Sequence, residues 1–389
     1  MSSKLAITTA AFKIGSSMMW ERISGMRPKS VPSIPPSFDR ITREWLTSAL
    51  CQKCPGAEVV EFNLKGGSSG STVRELMHIK YNEAGARAGL PEWVFAKAAA
   101  SFKTRMLAGL AKATHKEVYF YQALRNELAI EAPVAYFGGV ETPSQRSIVL
   151  FKAMTDCTFT DPTHPIDRKE AEDMVGILAQ LHGTFWNSPR LGDLRWLDSS
   201  LEYLQRCDDL LSFFERCDVG FERAGSVIPS QLSARRNEIN AATRRATELN
   251  MEGAITFLHH DVHIGNWYKT AAGRMGLGDW QCLTKGNWAS DFSYAITSAL
   301  TIENRRAWEK ELLTLYLEQL RRMDIQDVPD FDSAWKLYRQ QIFHALSFWT
   351  FTIGFGALQP QMQPDDFSII NIQRFATAAV DLDSLGSLR

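Results

Sequence analysis

Between Val59 and Ala100 the chain reads as three β-strands joined by short polar turns, and from Asp167 onward it reads as helix with a single strand-rich interruption. The strand candidates are VVEFNLK, TVRELMHIKY and PEWVFAKAAA, with the turn GGSSGS between the first two. Runs rich in β-branched and aromatic residues, separated by Gly, Ser and Asn, form antiparallel meanders. A helix, HKEVYFYQALRNEL, follows the third strand and is stopped by Pro133, and SQRSIVLFKAM supplies a further buried strand. Strands gathered first and helices after them give an α+β chain with a small antiparallel-sheet lobe and a larger, mainly helical lobe. The expected boundaries are an arm and linker over 1–37, a first lobe over 38–153 and a second over 154–389.

Composition narrows the possible partners. Forty-three Lys and Arg against 44 Asp and Glu leave a formal charge of -1, which argues against a broad basic field for nucleic acid or an anionic membrane. Any partner must be recognised locally. No stretch approaches the roughly 20 consecutive apolar residues needed to cross a bilayer, so no membrane insertion is expected. Six scattered cysteines make no disulfide framework and fit a reducing, cytoplasmic compartment. Cys51 and Cys54 form a lone CxxC with no second ligand pair. The first residues, MSSKLAITTAAFKIGSSMMWERISGM, read as a flexible arm, followed by the proline-rich linker RPKSVPSIPPSFDR and a helix that Thr42 is placed to cap. In RKEAEDMVGILAQLHGTFW the residues Met174, Ile177, Leu178, Leu181 and Phe185 make one buried stripe, and His182 beside it is expected to be structural.

The densest chemical signal is AITFLHHDVHIGNWYKTAAGRMGLGDWQ. An apolar strand leads into His259, His260, Asp261, His263 and Asn266; two short strands joined by AAG then return the chain to Asp279. Such a hairpin sets Asp279 beside Asn266. In phosphoryl transfer an aspartate orients the acceptor hydroxyl while an amide and a second carboxylate hold magnesium against the triphosphate. Asp261, Asn266 and Asp279 suit those roles, and the spacing of Asp261 to Asn266 matches a catalytic loop in which an Asp base precedes a metal-binding Asn. Metal-assisted hydrolysis through His259, His260, Asp261 and His263 is the alternative, and it leaves Asn266 and Asp279 without roles. A third reading, a nucleotide-binding pseudokinase, requires loss of the base, the metal ligands or the lysine, and none is lost.

Further residues support the first reading. Lys97 lies in the third strand, in VFAKA, where a nucleotide kinase keeps the lysine that meets the α and β phosphates. Glu117, read as heading the next helix, is suited to pair with it. Gly66, Gly67, Ser68, Ser69, Gly70 and Ser71 make a turn whose small residues would let backbone N–H groups approach phosphates. It is not a Walker A loop, because no GK[ST] follows.

With these motifs the chain resembles the aminoglycoside phosphotransferase and choline kinase superfamily, whose loop reads HGDxHxxN and is followed by D-[WF]-[EQ]; here they read HHDVHIGN and GDWQ. The resemblance runs from about Phe38 to the C-terminus. It implies a protein-kinase-like fold and an ATP-dependent, magnesium-requiring transfer of the γ-phosphoryl group to a hydroxyl of a small molecule. It makes Asp261 the catalytic base, Asn266 and Asp279 the magnesium ligands, Lys97 and Glu117 the phosphate-binding pair, with Gly67, Ser68, Ser69 and Gly70 at the nucleotide. His260 stands where the family has glycine. Asp291, in ASDFSYAITSAL, is implied to fix the loop, and the strand ending SIVLFKAM to pass the purine. Eleven residues between Asp279 and Asp291 leave no room for the activation segment of a protein kinase. For the acceptor, Trp335, Tyr338, Phe343, Phe348, Trp349, Phe351 and Phe355 suggest an apolar alcohol over a polycationic one, although an aromatic stripe at helical spacing is ordinarily core.

Overall fold

In the computed structural model of the chain, residues 3–69, 72–356 and 362–389 are described. The chain divides into two compact units. One takes in the chain as far as Asn126 together with Pro133–Thr155; the other holds Glu127–Ala132 and most of the chain from Asp156 onward.

The first unit is built on a five-stranded antiparallel sheet in the order β1-β2-β3-β5-β4, from β1 (Val59–Ser69), β2 (Val73–Tyr81), β3 (Trp93–Ala99), β4 (Ala135–Glu141) and β5 (Arg146–Lys152). Met77 and Ile79 of β2, Val94 and Ala96 of β3, and Ile148 and Leu150 of β5 alternate onto one face, where Trp45 and Leu46 close the core. Side chains in a strand alternate sides, so Lys97 projects to the other face. The residues before the sheet form helices α1 (Ser3–Ile23) and α2 (Arg43–Leu50). Thr42 caps α2 by accepting from the Trp45 N–H at 3.1 Å.

Three local readings are corrected. The flexible arm is a helix, α1, held by Ile14 in the core and by Glu21, buried against Arg105 at 2.8 Å. Of the turn expected at Gly66–Ser71, Gly70 and Ser71 lie outside the described residues, and the rest is strand as far as Ser69, because β1 runs on through a bulge between Leu64 and Gly67. Gly66 there has φ +100°, and a Cβ on Gly67 would lie 1.7 Å from the Arg74 carbonyl oxygen, so both glycines are demanded by strand pairing. Thirdly, α3 (Phe102–Leu110) precedes α4 (Ala113–Tyr119), so Glu117 sits within α4 and does not head the first helix after β3. A single wide, π-type turn over Phe120–Leu124 continues α4.

The second unit is mainly helical. Helix α5 (Arg168–Thr184) opens with a capping box of Asp167 and Glu170. It is followed by α6 (Ser200–Leu211), α7 (Phe213–Arg223) and α8 (Arg236–Leu249). The strand-rich interruption supplies β7 (Ile255–Leu258), β8 (Trp267–Lys269), β9 (Met275–Leu277) and β10 (Thr284–Asn287), with the small strand β6 (Thr158–Phe159) paired to β8. Strands β7 and β10 pair antiparallel, as do β8 and β9. Helices α9 (Ala289–Ala299), α10 (Ile302–Arg322), α11 (Phe331–Gln340), α12 (Ile342–Ile353) and α13 (Asp365–Asp381) complete it. Every residue of α9 is buried, which makes it the central post on which the loop after β7 rests.

Candidate active site

Strand β7 ends at Leu258, and the next two backbone N–H groups turn onto one carboxylate. His259 donates to Asp291 Oδ2 at 2.7 Å and His260 to Asp291 Oδ1 at 2.8 Å. Asp291 is wholly buried near the start of α9, and His182 of α5 reaches the same carboxylate through Nε2 at 3.3 Å while its Nδ1 meets the Tyr316 hydroxyl at 2.8 Å. A buried carboxylate is tolerable because it accepts several hydrogen bonds. The implied anchoring role of Asp291 is therefore visible as geometry. His182 is structural, as expected, but what it supports is the loop itself.

This anchorage explains how His260 can stand where the family has glycine. Its φ is +67°, a left-handed conformation that is uncommon outside glycine, although Asn, Asp and His take it more readily than other residues. Two loop amides fixed on Asp291 hold the backbone there, and the imidazole is buried 4.1 Å from the His344 ring and 5.3 Å from Tyr203, centroid to centroid. The strain is offset locally, by charge-assisted bonds and ring packing.

His259 ties the loop to the segment that carries Asp279. Its Nε2 lies 2.9 Å from the Gly278 carbonyl and its Nδ1 accepts the Asp261 N–H at 3.3 Å, which fixes a neutral tautomer with the proton on Nε2. Burial lowers its pKa, consistent with that neutral form. Trp280 packs edge-on to the same ring at 4.7 Å.

Asp261 is partly exposed at the tip. The Tyr294 hydroxyl donates to its Oδ1 at 3.2 Å, and burial pushes that phenol's pKa well above its ordinary value, so it remains a donor. The Asn266 side chain donates through Nδ2 to the Asp261 carbonyl at 2.7 Å and approaches Asp261 Oδ2 at 3.3 Å. Both partners are acceptors, so the NH2 end faces Asp261 and the amide oxygen is directed away from it. Pairing of β8 with β9 extends one step beyond the strands, Gly278 N–H donating to the Asn266 carbonyl at 2.8 Å, and so sets Asp279 next to Asn266. Asp279 itself has φ +60°, a tight turn that sequence pattern does not reveal.

The donor set around this hairpin is oxygen-rich, as magnesium requires. The imidazoles are not arranged for a transition metal: His259 is committed through both ring nitrogens, His263 accepts the Gly265 N–H at Nδ1, and the His260 ring lies against His344. Among the described residues no three His, Cys, Asp or Glu side chains gather as a metal cage. The hydrolase alternative therefore has no ligand set to stand on.

In the first unit, Lys97 of β3 and Glu117 of α4 meet at 2.9 Å with both side chains almost fully buried. Gly67 and Ser68 lie exposed on β1; the backbone of Ser69 ends that strand, and Gly70 and Ser71 lie outside the described residues. Of the aromatic residues at 335–355, Tyr338, Phe343, Trp349 and Phe351 are core. Phe348 is half-buried and touches Tyr203, Phe213, His260 and His344, and Trp349 packs edge-on to His263, so both reach the loop.

A model of the phosphotransferase enzyme family matches residues 98–325. The comparison with curated protein sequences found no match. Among solved structures, a choline kinase from Cryptosporidium parvum Iowa II is similar with a TM-score of 0.50 at 13% identity, over 87% of this chain and 95% of that one. A GDP complex of a mutant aminoglycoside 2'-phosphotransferase is similar with a TM-score of 0.50 at 9% identity, over 90% of this chain and 100% of that one. At such identity the likeness is one of fold, and it is the protein-kinase-like fold expected from the motifs.

Proposed function

Because the chain belongs to the phosphotransferase enzyme family, we propose that it transfers the γ-phosphoryl group of ATP to a hydroxyl of a small molecule, with Asp261 as the base that orients and deprotonates that hydroxyl. The observation that carries the reading is the joint placement of Asp261, Asn266 and Asp279 on a loop and hairpin tied together by His259 and anchored on Asp291. Phosphoryl transfer passes through a loose transition state, so most of the catalysis is positioning and charge stabilisation. A loop fixed by two amide bonds to a buried carboxylate supplies such positioning.

Asp261 is itself oriented. Tyr294 holds Oδ1, Asn266 approaches Oδ2, and Cys282 Sγ lies 3.9 Å from Oδ2. An acceptor hydroxyl that approaches Asp261 gives up its proton to the carboxylate as its oxygen bonds to the γ-phosphorus, while the bond from that phosphorus to the β,γ-bridging oxygen breaks and ADP leaves with the electron pair. Asn266, through its amide oxygen, and Asp279, through its carboxylate, would hold magnesium. When bound, the ion neutralises charge on the phosphates. Glu117 pairs with the Lys97 ammonium and aims it, ready for the α and β phosphates; Gly67 and Ser68 on β1 are read as part of the nucleotide site, with Ser69 and with Gly70, which lies outside the described residues.

The acceptor is read as an apolar alcohol. Tyr294 and Cys282 of the second unit touch Asp261, the Tyr203 hydroxyl meets Cys282 Sγ at 3.6 Å, and Phe348 stacks on Tyr203. These groups favour an uncharged, hydrophobic alcohol over a polyamine. The test is magnesium-dependent ADP release measured against choline, an aminoglycoside, a macrolide and a sterol, for wild type and Asp261→Asn. The reading predicts turnover on an apolar alcohol, lowered roughly 10²–10⁴-fold in Asp261→Asn. Turnover confined to the amine-rich acceptors would refute the acceptor class, and wild-type turnover in Asp261→Asn would refute the base.

A further inference from the structure

Helix α1 hides one face and shows an apolar one. Ile14 and Glu21 point inward, with Glu21 held by both Arg105 Nη atoms at 2.8 and 2.9 Å and with Arg146 3.6 Å away. At about 100° per residue, Leu5, Phe12, Met19 and Ile23 fall on a single stripe opposite that face. They are exposed, Phe12 to 76% and Ile23 to 79% of their surface. Trp20 flanks the stripe and is also exposed. Contiguous large apolar side chains on a surface mark an interaction site.

The charges say what kind. Lys13 and Arg22 are exposed and stand roughly 90° to either side of the stripe on a helix of 3.6 residues per turn. Glu21 is the one acidic residue in the helix, and it is buried in its ion pair. The outward surface of α1 therefore carries large apolar side chains along its centre, interrupted by Ser16, and a cation on each edge; the helix itself offers no exposed carboxylate, and Asp39, which lines a cavity with Met19 and Arg22, is an acid near that end. Arg27 and Lys29, just beyond the helix, are exposed as well.

We propose that α1 docks the protein on an anionic lipid bilayer, lying in the plane of the headgroups with Leu5, Phe12, Met19 and Ile23 in the acyl boundary and Lys13 and Arg22 at the phosphates. A helix with an apolar face edged by cations and a tryptophan binds such an interface. A second copy of the chain is a poorer occupant, because two such faces would set the edge cations Lys13 and Arg22 of one helix against those of the other. Spanning is not the mode: no helix among the described residues is long and apolar enough to cross a membrane. The overall charge of -1 is compatible with this, since the attraction is local to one helix.

Flotation of the full chain with vesicles tests the proposal. It should float with phosphatidylcholine vesicles carrying about 30 mol% phosphatidylserine, a typical anionic surface, more weakly with phosphatidylcholine alone, and less as salt is raised. Phe12→Ser with Ile23→Ser should abolish flotation; Lys13→Gln with Arg22→Gln should weaken partitioning roughly 30-fold, from about fivefold for each cation. All four side chains are exposed, so the variants should melt as wild type does. No flotation of the wild type, equal flotation on both vesicles, or unchanged flotation of the variants would overturn the proposal. So would a dimer in solution, seen by light scattering, that Phe12→Ser dissolves.

Discussion

Replacing Asp291 by asparagine probes the loop without touching any group that would meet substrate. The carboxylate accepts from the His259 and His260 amides at 2.7 and 2.8 Å and from His182 at 3.3 Å, in full burial. A hydrogen bond to an ionised group contributes about 1.5–3 kcal/mol. Asn retains one acceptor oxygen, but its NH2 group then faces one of the loop N–H groups, donor against donor. One strong bond is lost, a buried N–H is left unmade and the surviving bond loses its charge, which together cost about 3–5 kcal/mol. For a chain of this size that lowers the melting temperature by roughly 4–6 °C. The effect on turnover should be larger than stability alone dictates. His260 holds φ +67° only while its amide is fixed, and release lets Asp261 drift; a displacement of about 1 Å at a reacting group costs on the order of 100-fold. ADP release at saturating ATP should therefore fall about 100-fold while nucleotide affinity changes little. A variant with wild-type melting and turnover would show that the loop does not depend on this carboxylate.

His260→Gly relieves the left-handed backbone by about 1–2 kcal/mol but vacates the slot against His344 and Tyr203, a loss of about 2–4 kcal/mol; calorimetry should show net destabilisation, and a stabilised variant would contradict the packing argument. Glu117→Gln leaves the Lys97 ammonium buried opposite a neutral amide, so the first unit should lose about 3–5 kcal/mol and ATP should bind more weakly; unchanged ATP affinity would sever Lys97 and Glu117 from the nucleotide. Burial pushes His344 down to about 4 from the ordinary histidine value. Its folded form stays neutral while the unfolded chain protonates below about 6.5, so stability is intact above that pH and declines as pH falls towards 4, by about 3 kcal/mol in all. His259 acts in the same direction. Urea melts between pH 7 and 4 should be less steep in pH for His344→Gln, and an equal slope would refute this assignment.

What the sequence disclosed and what it hid divide along range of interaction. The spacing of Asp261 and Asn266, the hairpin returning to Asp279 and the cap at Thr42 are local, and each is recovered in the structure. Lys97 was legible from its strand and Glu117 from the following helix, although α3 between them was not. The strand β4 escaped notice because Gly138 and Gly139 dilute its β-forming residues. Helix α1 looked like an arm because its apolar residues lie on opposite faces, one packed and one exposed, and so blur any single stripe. The support of Asp291 by His182 joins residues far apart in the chain, and nothing in either neighbourhood announces the partner. The signal that could have found it was the pairing of a buried histidine with a buried carboxylate, each of which needs the other. The glycines of β1 carried two meanings at once, since strand pairing alone already requires Gly66 and Gly67.

The central claim is that Asn266 and Asp279 share one divalent ion beside a base at Asp261. Electron paramagnetic resonance of manganese, titrated into the full chain with ATP, measures it most directly. Wild type and Asp261→Asn should bind the ion alike, while Asp279→Ala and Asn266→Ala should release it to solution. Equal manganese binding in all four proteins, or loss in Asp261→Asn with retention in Asp279→Ala, would contradict the account.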